Sequence, residues 1–239
     1  MLKSFYHLLP THLRALIRTL IVVTRDYGHY RSFSRNQCLS PQGDPWPWFS
    51  YACIFYIERL DFSQCRVLEF GSGGSTKYWA RRVKELISVE TNRFWYELVN
   101  KDLPENARLL FFDQNEWDGC YKKTLAMAPF DVVIIDGLWR DRCASVCRRL
   151  VAENGLVILD NPDWYPTAHY IMHAYDLIEV SFSGLTPLNA RSTTTNVYFP
   201  RGFALPFRKD FQFMSLPGSV IDNHETKPIL NSKFEKCTQ

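Results

Sequence analysis

The chain has 239 residues, 46% apolar and 15% aromatic, enough for one α/β domain with extensions around a well-buried core. A net charge of +3 is too small to point to nucleic acid as the main partner. The seven cysteines are scattered, odd in number and without a CxxC pair, which argues against a disulfide framework or structural zinc and for a reducing, cytoplasmic setting.

The charge is uneven along the chain. Residues 1–35 hold Lys3, Arg14, Arg18, Arg25, Arg31 and Arg35 against Asp26, a balance of +5 that leaves −2 for the rest. Arginines interrupt the apolar stretch there, so it reads neither as a secretory signal nor as a membrane span. The spacing predicts an amphipathic helix over 11–25, with Leu13, Leu16, Ile17 and Leu20 on one face and Arg14, Arg18 and Arg25 in a stripe beside it. Two readings stand for it: a peripheral membrane or partner contact, or a helix packed on its own domain with a solvated basic edge. Residues 28–47, rich in Gly, Ser, Pro, Asn and Gln, read as a connector.

From Cys65 onward short β-rich runs alternate with helical stretches, the pattern of a mostly parallel α/β sheet with helices on both faces. The expected strands are 66–70, 86–90, 108–112, 130–136, 155–160, 177–183 and 194–199. Trp79, Val83, Leu86 and Ile87 have helical spacing, as do Cys143, Val146, Cys147, Leu150 and Val151. The loop between the last two strands leaves no room for a helix, so they form an antiparallel pair at the sheet edge. The organisation is thus a basic helix and connector over 1–45, the α/β domain over 46–200 and a C-terminal arm over 201–239.

The strongest local signal is the strand Val67-Leu68-Glu69-Phe70 running into Gly71-Ser72-Gly73-Gly74-Ser75-Thr76, a turn whose glycines let a ligand lie against the backbone. The spacing is GxGG, and Thr76 stands where a dinucleotide site has its third glycine. The next strand ends in Glu90, 19 residues after Gly71, followed by Thr91. An acid at that tip accepts hydrogen bonds from a ribose diol.

Glu69-x-Gly71-x-Gly73, Glu90 and Asp136-Gly137 resemble the successive motifs of class I S-adenosylmethionine-dependent methyltransferases. More narrowly, five segments resemble a bacterial group of these enzymes over about residues 46–200. They are Pro47-Trp48-x-x-Tyr51, Glu69–Thr76, Ser88-Val89-Glu90 with Trp95-Tyr96, Ile135-Asp136-Gly137-x-x-Arg140-x-x-Cys143 and Leu159-Asp160-Asn161. The resemblance implies a seven-stranded Rossmann-like fold. It places the methionine part at the Gly71 turn, its amino group over Glu69 and the ribose at Glu90. Asp113 and Gln114 would lie near adenine, or form a plain surface loop.

Two apolar strands end in acids, Asp136 and Asp160, 24 residues apart. With Asn161 they resemble the acid triad of catechol-O-methyltransferase-like enzymes, which implies Mg²⁺. The other reading has Asp160-Asn161 capping a turn before Pro162, with Asp136 touching the cofactor. Arg140, with Arg142, stands where it can clamp a substrate carboxylate or phosphate, or serve as a structural ion pair. No lysine occupies this segment, which leaves the base open. His169 and His173, four residues apart, read as solvated helix positions or as a base, His169 being nearer the Asp160 loop. Trp46, Trp48 and Tyr51 wall a substrate pocket or belong to the core. The reading is methyl transfer to an oxygen of a small molecule or glycan. Its rivals are N-methylation, an NAD(P)-dependent oxidoreductase, against which Thr76 counts, and a non-catalytic nucleotide-binding protein.

Overall fold

The computed structural model describes residues 9–208. Seven strands form one sheet: β1 (Arg66–Phe70), β2 (Glu85–Glu90), β3 (Ala107–Phe111), β4 (Phe130–Ile135), β5 (Val151–Asp160), β6 (Ile178–Leu185) and β7 (Ser192–Phe199). Their order is β3-β2-β1-β4-β5-β7-β6. The first five run parallel, and β7 inserts antiparallel between β5 and β6. This is the Rossmann-like class I methyltransferase fold. It departs from the dinucleotide-binding order 3-2-1-4-5-6 in its last two strands.

The side chains alternate between two cores, as strand geometry requires. Val67, Leu86, Val132, Ile134, Leu156, Ile158 and Val197 face one layer, where α3 (Tyr51–Ile57) and α4 (Gly74–Ala80) pack. Leu68, Ile87, Val133, Ile135, Val157, Leu159 and Tyr198 face the other, against α6 (Trp117–Leu125), α7 (Arg140–Leu150) and α8 (Pro166–His173). Because both faces are covered, β4 and β5 read as unbroken apolar runs rather than alternating ones. Of the remaining helices, α1 (Thr11–Ile21) and α2 (His29–Arg35) precede the sheet, and α5 (Arg93–Asn100) joins β2 to β3, capped by Asn92 accepting from the Trp95 amide.

Several elements differ from the sequence expectation. The helix expected over 11–25 is α-helical only to Ile21 and continues as a π-helical turn, Val22–Asp26. The helical spacing at Trp79–Ile87 is fortuitous, since α4 ends at Ala80 and Leu86 and Ile87 are on β2. β5 starts at Val151 rather than Gly155, pairing first with Phe130 and then shifting register before Val132. The connector is ordered: Ser32, Leu39, Ser40 and Trp46 within it are buried. Residues 201–208 run beside Arg59–Asp61, bridging Leu60 to Phe207, and 209–239 of the expected arm lie outside the described residues.

The sheet changes direction at β1. β2 and β3 extend to one side of it and β4 to the other, which leaves a crevice beyond the strand ends. There Gly71 has φ 101°, and a Cβ on it would stand 2.9 Å from the Asp136 carbonyl and the Gly137 Cα. A Cβ on Gly73 would meet nothing within 4 Å. Gly71→Ala is therefore expected to lose about 1–3 kcal/mol in urea denaturation. Gly73→Ala should stay within about 0.5 kcal/mol of the parent.

Candidate functional site

The first half of the site is built on the ends of β1 and β2. Glu69 is fully buried; its Oε2 accepts from the Thr76 and Ser88 hydroxyls, each at 2.7 Å. Burial raises its carboxyl to about 7, against the lowering effect of the Ser75, Ser88 and Thr76 hydroxyls. No donor meets Oε1 in good hydrogen-bond geometry, although that atom too is buried. Thr76 Oγ1 also accepts from the Gly73 amide at 3.0 Å, so this threonine ties the turn to Glu69 where a glycine would only have given space.

Glu90 is held just as firmly. Its Oε2 accepts from the Ser72 amide (3.0 Å) and hydroxyl (2.6 Å), and its Oε1 from the amides of Thr91 and Asn92, both at 2.8 Å. Beside it lies a slot of about 20 Å³ lined by Gly71, Glu90, Thr91, Gly137, Leu138 and Trp139. Asp113 and Gln114 are exposed on the loop after β3, where the Gln114 carbonyl accepts from Trp139 Nε1 at 3.2 Å.

The second half centres on Arg140, which is only 8% exposed. Its Nε donates to the Gly137 carbonyl (3.1 Å). One terminal nitrogen donates to the Asp160 carbonyl and to Asn161 Oδ1 (2.8 Å). The other donates to the Asp136 carbonyl (3.0 Å) and to Asp136 Oδ1 (2.8 Å). All five N–H donors are thus used inside the protein, and Tyr165 stacks 4.3 Å from the guanidinium. Arg140 has no donor left to clamp a substrate anion, and Arg142 is exposed.

The same contacts bear on the metal expectation. Asp136, Asp160 and Asn161 do converge, but around this guanidinium. Among the described residues no group of three or more His, Cys, Asp or Glu is placed to hold a metal ion. Mg²⁺ is therefore not supported. Asn161 adopts φ 54°, a left-handed conformation asparagine tolerates well, and its carbonyl accepts from the amides of Trp164 and Tyr165. Asn161 thus opens the turn that follows β5. Burial raises Asp136 to about 6 while Arg140 lowers it; Asp160, buried beside Asp136, is raised well above its usual range.

His169 does not join this group. Its Nε2 lies 2.8 Å from Glu179 Oε1 on β6, and His173 approaches the other oxygen of the same acid at 3.2 Å. The aromatic trio divides: Trp46 and Tyr51 are core, whereas Trp48 is 49% exposed.

Sequence reading missed the cap that residues 27–50 place over the strand ends. Ser32 Oγ donates to the Leu39 carbonyl and accepts from its amide, and Ser40 Oγ accepts from the amides of Gln42, Gly43 and Asp44. The Trp46 carbonyl lies 3.3 Å from where a Gly74 Cβ would be. The Ser50 amide donates to Thr195 Oγ1 (3.0 Å), which donates to Asp160 Oδ1 (2.6 Å). Burial, with Asp136 and Asp160 adding to it, pushes the Cys38 thiol up to about 12. His29 Nδ1 stands 3.0 Å from the Tyr51 hydroxyl, and burial holds its pKa below the usual range. Nothing in the spacing of His29 or Cys38 marks them, because their places are set only by the fold of the cap.

The chain is similar in structure to the O-methyltransferase TomG from Streptomyces achromogenes, solved with SAM, at 16% identity and a TM-score of 0.47 over 76% of this chain and 90% of that one. A cofactor-bound protein from MTB matches at 17% identity and a TM-score of 0.48 over 63% and 78%. Spermidine synthase from Thermotoga maritima matches at 17% and 0.47 over 59% and 55%. No family model matches the chain, and no curated protein does. With TM-scores this low, the chemistry is read from the chain's own residues.

Removing Arg140 leaves buried Asp160 and half-buried Asp136 without their counter-charge; breaking a fully buried pair costs about 3–5 kcal/mol, and the 21% exposure of the Asp136 side chain lowers that figure. Asp136 has a folded pKa near 6, above its unfolded 3.8, so it resists ionisation as pH rises through that window. Arg140→Met is accordingly expected to be strongly destabilised at pH ~8 and much less so near pH 5, by urea denaturation at both.

Proposed function

We propose that the protein is an S-adenosylmethionine-dependent methyltransferase acting on a hydroxyl of a small molecule or glycan. The observation that carries this reading is Glu69, a buried carboxyl whose Oε1 meets no donor in good hydrogen-bond geometry, beneath a turn left open at Gly73. An ammonium group is the natural partner for such an atom. Glu90 supports the ribose position, provided the Ser72 hydroxyl turns away to free its Oε2. Gly71, Ser72, Gly73, Gly74, Ser75 and Thr76 would flank the methionine part, Asp136 and Gly137 the opposite wall. Thr91 lines the slot that adenine would have to widen, and Asp113 and Gln114 are on the exposed loop whose Gln114 carbonyl holds Trp139 of its wall.

When bound, the cofactor supplies a methyl group on a sulfonium, with its leaving group already in place. This chain's residues then align the acceptor, exclude water and receive its proton. Asp160 is 2% exposed and Arg140 is fully engaged, so we assign proton removal to His29. Its lowered pKa keeps it neutral at physiological pH. With the proton on Nδ1 and donated to Tyr51, Nε2 is a free acceptor. His29→Gln should reduce turnover about 10²-fold or more with unchanged cofactor affinity. Full turnover in that variant would favour transfer to nitrogen, which needs less base assistance.

Cofactor binding gives the direct test. An ammonium favours the charged form of Glu69, so binding releases the proton that burial retains below about pH 7. S-adenosylmethionine affinity by calorimetry should rise from about pH 5.5 to 8, by at most about tenfold per unit. Glu69→Gln should bind more weakly and lose that dependence. An affinity independent of pH in the parent chain would reject Glu69 as the ammonium partner, and absence of binding in both would reject the cofactor.

A further inference from the structure

We propose that α1 is an in-plane membrane anchor that seats its apolar face in an anionic lipid surface. The helix buries none of its residues. Leu16 and Leu20 are 59% and 62% exposed, and Leu13 and Ile21 are exposed beside them. Its substantial contacts are with the π-helical turn that follows it, so the sheet domain does not cover this face. At 100° per residue, Leu13, Leu16, Ile17, Leu20 and Ile21 fall within an arc of about 140°. Arg14 and Arg18 line one flank of that arc. The reading in which α1 packs on its own domain is thereby corrected.

The flank selects the occupant. An apolar face at the depth of the acyl boundary places the arginines beside it at headgroup level, where their stems stay apolar and their charges meet phosphate. Residues 1–35 carry +5 while the rest of the chain carries −2, so attraction to an anionic surface is concentrated at this end. Arg25, paired with Asp26 at 2.6 Å, adds less to it. On the next helix Tyr30 and Phe33 are exposed as well. A second copy of the chain would bring two arginine-flanked faces together, which is the less favourable cover. Among the described residues no helix is long and apolar enough to cross a membrane, so the contact is with a surface.

Flotation of the full chain with phosphatidylglycerol–phosphatidylcholine vesicles tests this. Binding should be at least about tenfold stronger than to phosphatidylcholine alone and should weaken in high salt. Leu16 and Leu20 are solvent-facing, so the double variant Leu16→Glu with Leu20→Glu should fold, keep its cofactor affinity and lose vesicle binding. Arg18→Gln should weaken binding about fivefold. No flotation with anionic vesicles at low salt would overturn the proposal, as would equal binding to neutral ones or retention by the double glutamate variant. Light scattering showing a dimer that the double variant dissolves would assign the face to a second copy instead.

Discussion

The site depends on one guanidinium. Arg140 reaches from the first turn of α7 across the ends of β4 and β5 and gives all five donors to oxygens there. Those strands belong to the sheet's centre; Asp136 and Gly137 follow the last residue of β4, Asp160 is the last of β5, and the carbonyls of all three find their partner in this side chain. The same group neutralises part of the charge on half-buried Asp136 and buried Asp160, two acids that repel each other. A lysine, with three donors on a point charge, cannot replace that planar fork. An arginine rather than a lysine at position 140 is therefore a structural requirement.

The cap is fastened to the same cluster. The chain Ser50 amide to Thr195 hydroxyl to Asp160 carboxyl couples residues far apart in sequence, and β7 supplies the middle link because its antiparallel register places Thr195 opposite Asp160. Insertion of β7 between β5 and β6 thus has a local consequence: it presents a hydroxyl to a buried acid and holds the cap above the crevice.

What was legible in the sequence was periodic or local. The two-residue alternation and the unbroken runs of β4 and β5 declared the sheet, and the glycine turn with Glu90 declared the crevice. The convergence of Asp136, Asp160 and Asn161 was also readable, since parallel strands end on one side. What lies between them was not, because an arginine and a cation satisfy the same oxygens and sequence spacing cannot tell them apart. Asn161 illustrates the ambiguity: its amide oxygen resembles a ligand, while its φ of 54° shows it shaping a turn. His29 and Cys38 were hidden for another reason. Their position is set by serine-capped turns and aromatic contacts in a stretch whose composition reads as a linker.

The raised carboxyls give the proposed reaction a direction. Glu69 near 7, Asp136 near 6 and Asp160, which burial raises well above the usual carboxylate range, are all held toward their neutral forms, with one arginine beside the two aspartates. Such a crevice is short of positive charge, and folding is opposed by their ionisation as pH rises through the window between unfolded and folded values. A ligand carrying both an ammonium and a sulfonium relieves that shortage. The demethylated product keeps the ammonium but has lost the sulfonium charge, so the acids that favour the donor favour its product less. In the proposed reaction, methyl transfer would itself weaken the hold on the product.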